Sequence, residues 1–402
     1  MICILAPFNP YSIKDSLSKS QEIPNINPSA TSINNLVKGL IASEHNVYVI
    51  TLDFSSSQTR LFNGKNITVV TIGCHSKFFL KNLFPNMEDI ANLIAAEIGK
   101  VKDKISILHA HWCYEYALAA MKYSSDIATL VTVRDFAPVI YGSINPFASL
   151  YSLFAKFYWY YKMKVFYKVL SSKNIFFVSN SEYTERKLKE YNFKLNVRTI
   201  PNSIEDSLLV PRIPNTAGRR NIVSIAASLD DNRKNIQTLI DAFMLFSKKY
   251  SGYKLVLIGN YHMNSGVYEY CKKRDLLGDV IFKGRLNRSD IIEIIDNSIM
   301  MVHPAFEETF GNILLESMAR GVITIGGRRA GAVPYVLEKG NSGILCDISS
   351  ALQICNAMES VICEVGSNTF LQNNALSWVG CNFTNSAVAK QHILLYTNLL
   401  NK

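Results

Sequence analysis

The chain has 402 residues, 48% of them hydrophobic and 18% charged. That is longer than one ordinary core accommodates and too apolar for a disordered chain, so two domains are expected. The formal charge of +10 favours acidic partners (nucleotide phosphates, anionic lipid or nucleic acid) without choosing among them.

The first residues, Met-Ile-Cys-Ile-Leu-Ala-Pro, lack the basic start and long apolar core of a signal peptide and read as a buried strand. No uncharged run is long enough to span a bilayer. Short apolar strands then alternate with amphipathic helices, the pattern of parallel sheets built from βαβ units. In the first half strands are predicted over 1–6, 47–52, 68–71, 105–109, 129–133, 175–178 and 197–200. Helices are predicted over 32–43, 87–100, 115–123, 151–170 and 182–191. A polar stretch over 204–220, with Pro211 and Pro214, reads as a linker. The pattern restarts with strands over 222–227, 254–258, 280–283, 299–303, 322–326 and 343–346, and helices over 236–250 and 289–297. The expected architecture is α/β, with two Rossmann-like doubly wound domains, 1–205 and 206–385, facing across a cleft. A terminal helix packs back on the first of them over about 386–402. Ligands in such sheets sit beyond the carboxyl ends of the strands. Eight scattered cysteines with no zinc spacing read as reduced residues of a cytosolic protein.

Residues 302–321 carry the most chemistry. A strand ends at Pro304, Glu308 lies in the loop after it, and Gly311 and Asn312 open an apolar-periodic helix that stops at Arg320-Gly321. Free backbone N–H groups at such a helix start can hold a phosphate. Glu316, about one turn further in, suits a vicinal diol such as a ribose, because an ionised carboxylate only accepts hydrogen bonds. The bland alternative is an acidic first turn with Glu316 solvated.

The spacing of Glu308 and Glu316 resembles the Glu-x7-Glu signature of the family-4 (group 1) retaining glycosyltransferases, which have the GT-B fold. The resemblance covers almost all of residues 222–348. It implies donor contacts at Glu308, Thr309, Phe310, Gly311, Asn312 and Glu316, with Glu308 facing the reacting sugar. The segment after strand 222–227 is similar to the one where the family binds the donor diphosphate through an Arg and a Lys. Lys234 matches the lysine, Ser228 stands at the arginine position, and Arg233 is a candidate for the missing charge. Gly259, in Leu-Val-Leu-Ile-Gly-Asn, and Arg285 and Leu286, in Val-Ile-Phe-Lys-Gly-Arg-Leu, are further donor-side candidates. Residues 326–334 are similar to the family's glycine loop.

The N-terminal half matches more loosely. The loop over 24–32 offers Ser29, Thr31 and Ser32 to acceptor hydroxyls. In His109-Ala110-His111-Trp112 the resemblance makes His111 a catalytic candidate beside the donor sugar, with Lys234 and Glu308. A second family histidine, in Thr-x-His, is here Arg134, which cannot act as a base but can bind a diphosphate or an acidic sugar. The two histidines lack a third ligand, so no metal and no other cofactor is expected. Residues 147–173 hold many aromatics, five lysines and no acid, which suits an anionic membrane surface or a core helix with snorkelling lysines. Lys77-Phe-Phe-Leu-Lys81 and Phe84 could extend such a face. No nucleic-acid motif is present.

The resemblance implies a retaining, metal-independent hexosyl-type transferase in cell-surface polysaccharide or glycolipid assembly. Its expected partners are a nucleotide-sugar and a glycan or lipid-linked acceptor. Its expected place is the cytoplasm, peripheral to the inner face of the cell membrane. A GT-B phosphorylase and a non-catalytic GT-B scaffold subunit are the rival readings, the latter prompted by Ser228 and Arg134.

Overall fold

The structure is a computed structural model that describes residues 1–18, 22–27, 30–74, 86–147, 150–210, 218–264 and 266–401, with backbone only at 151 and 365–367. The chain divides into two compact units: Met1–Ser203 with Asn385–Lys402, and Ile204–Thr384. Each is described by itself.

In the first unit eight strands lie in the order β3-β4-β2-β1-β5-β6-β7-β8. They are β1 Ile2–Leu5, β2 Val47–Asp53, β3 Arg60–Gly64, β4 Ile67–Gly73, β5 Ile107–His111, β6 Ala128–Val133, β7 Ile175–Ser179 and β8 Val197–Thr199. All pairings are parallel except β3 with β4. The central strands β1 and β2 are buried along their whole length, as covering both faces of a parallel sheet requires. β3 was not expected: of Arg-Leu-Phe-Asn-Gly only Phe62 is buried, so no apolar run marks it. β5 ends two residues later than predicted, which puts both His109 and His111 in the strand, opposite Leu130 and Thr132.

The helix Asn385–Leu400 packs on Thr31–Ala42. Gly39 makes that approach possible. A Cβ there would stand 2.7 Å from the Cβ of Ala389 and 2.8 Å from the carbonyl oxygen of Asn385.

In the second unit six parallel strands take the order β11-β10-β9-β12-β13-β14. They are β9 Asn221–Ser228, β10 Lys254–Asn260, β11 Val280–Gly284, β12 Ser298–His303, β13 Ile323–Gly327 and β14 Ile344–Cys346. The order reverses between β9 and β12, so the loops after these two strands flank the switch point where doubly wound sheets bind ligands. Phe243, Phe246, Phe310 and Phe383 fill the core. Helices Gly266–Lys272, Ala351–Cys363 and Val365–Asn382 were not anticipated. The linker residues 211–217 lie outside the described residues.

Among the described residues no helix is long and apolar enough to cross a membrane. Substituting Gly39→Val should overfill the contact with the terminal helix and destabilise the first unit by about 2 kcal/mol. Denaturant unfolding reads this directly, and an unchanged midpoint would show that the contact is not tight.

Candidate functional site

The switch-point loops of the second unit are built to hold one carboxylate between two cationic or polar groups. After β9 the chain makes a short turn, Asn232–Lys234, whose start is capped by the Asp231 side chain accepting from the Arg233 N–H at 2.9 Å. Asn235 follows in the left-handed region (φ 54°), and its buried side chain donates to the Ile348 carbonyl at 2.7 Å. Asparagine tolerates that backbone better than most residues, and the anchor fixes the direction of Lys234. Lys234 Nζ reaches Glu308 Oε1, which His303 Nε2 also contacts at 3.2 Å. A backbone bond from the Phe306 N–H to the Arg233 carbonyl, 2.8 Å, ties the two loops together.

Glu308 is further held from the other side. Its carbonyl accepts from the Ala332 N–H at 2.8 Å, and at Gly331 (φ 61°) a Cβ would lie 2.2 Å from the same oxygen. Only glycine allows this approach, so the glycine loop is a clamp on the Glu308 backbone. Burial alone would raise the Glu308 pKa. The His303 hydrogen bond and the Lys234 charge outweigh it and hold the carboxyl at about 2, ionised at neutral pH.

Gly311, left-handed at φ 86°, starts the helix Asn312–Ala319. Its first-turn N–H groups lie before the regular i→i−4 ladder, and that of Leu314 donates to the Gly311 carbonyl at 3.0 Å. Phe310 is buried with its ring against Phe383, so it serves the core and not a ligand surface. Thr309 and Asn312 are half-buried beside it.

Glu316 differs from the solvated alternative: it is only 7% exposed and pairs with Arg288 Nη2 at 3.0 Å. Burial raises its pKa, partly offset by Arg288 and reinforced by the charge of Glu205. Sequence reasoning missed both Arg288 and His303. His303 was visible as the last strand residue before Pro304, whereas nothing local marks Arg288.

The remaining donor-side candidates divide. Arg233 is engaged by Asp231 through Nη2–Oδ2, 2.7 Å, and Nε–Oδ1, 3.2 Å, so its charge is already matched. At Gly259 (φ 149°) a Cβ would meet the Ala226 carbonyl oxygen at 2.1 Å, so the close approach there is within the sheet. Arg285 is exposed, and Leu286 rests on the core.

In the first unit, the ends of β5 and β6 gather a buried polar cluster. His109 contacts the Tyr396 hydroxyl through Nδ1 and the Thr132 hydroxyl through Nε2, each at 2.7 Å. The His109 and His111 rings lie 4.2 Å apart. Arg134 donates through Nε to His111 Nδ1 at 3.2 Å and through Nη1 to the Asn202 side chain. An arginine only donates, so Nδ1 accepts and the proton of neutral His111 sits on Nε2. That Nε2 is buried without a partner among the described residues. Burial first, then the neighbouring His109 and Arg134, keeps His111 well below its usual pKa. His111 is therefore a neutral hydrogen-bond donor awaiting an acceptor. Trp112, next along, is left-handed at φ 63°, a strained backbone for a bulky residue.

Thr31 opens the first helix instead of lying in the loop before it. Ser29 lies outside the described residues, as do Lys77–Lys81 and Phe84. Among the described residues no group of three or more His, Cys, Asp or Glu could hold a metal ion.

The helix Leu150–Leu170 combines the two readings of its sequence. Its second half is core, through Val165, Phe166, Val169 and Leu170. Its first half exposes Leu150, Leu153, Phe154, Phe157 and Tyr160 as a stripe, with Phe147 just before it 94% exposed. Lys162 turns inward over the rings of Tyr114, Tyr158 and Trp159, and Lys156 bonds the carbonyls of Tyr141 and Ile144. Lys164, Lys168 and Lys173 stay exposed.

Two doubly wound parallel sheets with a basic loop and a carboxylate at the switch point describe a GT-B protein, and solved structures show the same fold. Sucrose-phosphate synthase from Thermosynechococcus elongatus superimposes with a TM-score of 0.76 at 18% identity, covering 100% of both chains. The Anabaena protein HepE, solved with UDP and glucose, gives 0.68 at 13% identity and 99% coverage of both. Residues 29–208 match the family Glycosyltransferase Family 4, and residues 210–377 match Glycosyl transferases group 1. The chain belongs to these group 1 (family 4) glycosyltransferases. A curated relative, N-acetyl-alpha-D-glucosaminyl L-malate synthase of Bacillus anthracis, is 22% identical over 388 residues, 94% of this chain and 95% of that protein.

Replacing Gly331 with Ala should force the glycine loop off the Glu308 carbonyl and destabilise the second unit by about 2–3 kcal/mol. Chemical denaturation measures it, and a wild-type stability would mean the clamp is loose.

Proposed function

We propose that this glycosyltransferase moves a sugar, with retention, from a nucleotide-sugar to a hydroxyl of a glycan or lipid-linked acceptor in cell-surface polysaccharide assembly. The observation that carries the donor side is the Lys234–Glu308 pair beside the start of the helix Asn312–Ala319. A departing nucleoside diphosphate develops negative charge. An ammonium with three donors can contact that charge and Glu308 together, and the helix start adds preorganised N–H groups. The reading therefore calls for no metal, and Arg233, matched by Asp231, has no first claim on the phosphates.

Glu308 is ionised, but Oε1 is shared by Lys234 and His303. A carboxylate so paired is a better hydroxyl acceptor than nucleophile, which favours orienting the donor sugar and same-face substitution. Glu316 is assigned to the ribose, with Arg288 favouring its ionised form against the effect of burial. His111 is assigned as a donor to a sugar hydroxyl or phosphate oxygen through Nε2. Arg134 fixes its tautomer and adds positive charge for an acidic acceptor. Thr31 contributes a hydroxyl on the acceptor side. Arg285 and Leu286 are assigned to the base as backbone and packing contacts, and Gly259 to the tight strand end beside them.

Incubating the chain with a panel of nucleotide-sugars and a lipid-linked acceptor extract should give nucleotide release with one donor. Binding without turnover across the panel would instead favour the scaffold reading, which Ser228 and Arg134 keep in play. Lys234→Ala and Glu316→Ala should each weaken nucleotide binding about tenfold or more. Because burial raises the Glu316 pKa, affinity should fall at a higher pH than for an ordinary carboxylate as the solution is acidified. Unchanged affinity in both variants would sink the site assignment.

The exposed stripe beginning at Leu150, flanked by Lys164 and Lys173 (Lys168 pairs with Glu88 at 2.5 Å), suits the cytoplasmic face of an anionic bilayer, rings in the acyl boundary and ammonium groups among headgroups. Phe154→Ser with Phe157→Ser should abolish co-flotation with phosphatidylglycerol vesicles at low salt while leaving nucleotide binding intact. Flotation equal to wild type would reject the surface.

A further inference from the structure

A cavity of about 320 Å³ lies beside the Glu308 loop and is used by none of the groups assigned above. It opens where β12, β13 and β14 end, with Phe306 and Ile348 as apolar walls and Arg328, Arg329, Asp347 and Ser349 as polar ones. Carboxyl ends of parallel strands are where such folds place ligands.

The polar groups are not equivalent. Arg328 is built into the wall: its N–H donates to the Cys346 carbonyl at 2.9 Å and its Nη2 to the Leu345 carbonyl at 3.1 Å. Asp347 is satisfied by its own turn, accepting from the Ser349 N–H at 3.0 Å and the Ser349 hydroxyl at 2.7 Å. Arg329 makes no hydrogen bond or ion pair among the described residues; it is exposed at the cavity, where, after the Ser349 hydrogen bonds, its charge helps hold the Asp347 carboxyl below its ordinary pKa. Two guanidinium groups against one carboxylate leave the cavity with a net positive charge. The Ile348 carbonyl is bonded to Asn235, next to Lys234, so the wall is fixed relative to the loop assigned to the phosphates.

We propose that this cavity binds a phosphate or carboxylate carried on a sugar-sized body, the anion on Arg329 and Arg328 and the ring against Phe306. A guanidinium fork matches either oxyanion, and an aromatic face suits the C–H face of a pyranose. The group has two possible sources. One is a separate sugar phosphate. The other is an acidic sugar on the donor itself, and that source alone rests on the donor assignment above.

Calorimetry on the full chain separates them. Glucose 6-phosphate is titrated against glucose, with and without saturating UDP, and UDP-glucuronic acid is titrated against UDP-glucose. At least one anionic probe should bind about tenfold more tightly than its neutral counterpart. Arg329→Gln should erase that preference while leaving UDP affinity within twofold. Binding of glucose 6-phosphate that persists beside UDP assigns a separate ligand, and a preference confined to the nucleotide-linked pair assigns the donor sugar. Equal affinity for anionic and neutral probes overturns the inference. So does a preference that survives Arg328→Gln with Arg329→Gln, or glucose 6-phosphate displaced by UDP with no preference for UDP-glucuronic acid. UDP affinity is read on its own, so failure of the donor assignment and failure of the cavity are different results.

Discussion

The ion pair between Lys234 and Glu308 organises the second unit's site. It joins the loop after β9 to the loop after β12, the two strands between which the sheet order reverses. Neither partner is fully exposed, so each depends on the other to offset its desolvation. The backbone bond from Phe306 to Arg233 and the glycine-loop clamp on the Glu308 carbonyl hold the pair from both sides. The carboxylate is thus charged and oriented before any ligand arrives, and Lys234 is held beside it as a preorganised positive charge.

The first unit solves a different problem, keeping several polar side chains buried beside one another. Tyr396, His109 and Thr132 satisfy each other, while Arg134 fixes His111 and ties it to Asn202. Among the described residues His111 Nε2 in this cluster has no partner, and neither has His392 Nδ1. An unpartnered buried N–H costs stability, and such a cost is tolerated most readily where a ligand supplies the missing acceptor.

Much of this was legible because strands of a doubly wound sheet are continuous apolar runs, and their ends locate loops. Lys234, Glu308 and His111 were singled out through the family resemblance, and each lies at or after the end of a strand. Asp231 as the partner of Arg233 and Arg288 as the partner of Glu316 were not, because side-chain pairing depends on packing that no local pattern encodes. The helix Val365–Asn382 escaped for a related reason. Its asparagines and serines give it weak helix propensity and no clear apolar stripe, yet Trp378 and Val379 dock it on the core. The basic-aromatic stretch gave two readings because its helix has two environments, core at one end and solvent at the other.

The return of the helix Asn385–Leu400 to the first unit has a consequence for how the protein is made. Tyr396 and His392, which line the histidine cluster, leave the ribosome only after the whole second unit. During synthesis the first sheet must wait with Gly39 uncovered and His109 short of its hydroxyl partner. The inserted unit has every residue of its own sheet earlier and can close independently. The histidine cluster is therefore assembled after the second unit, and its completion reports that translation has run past that unit.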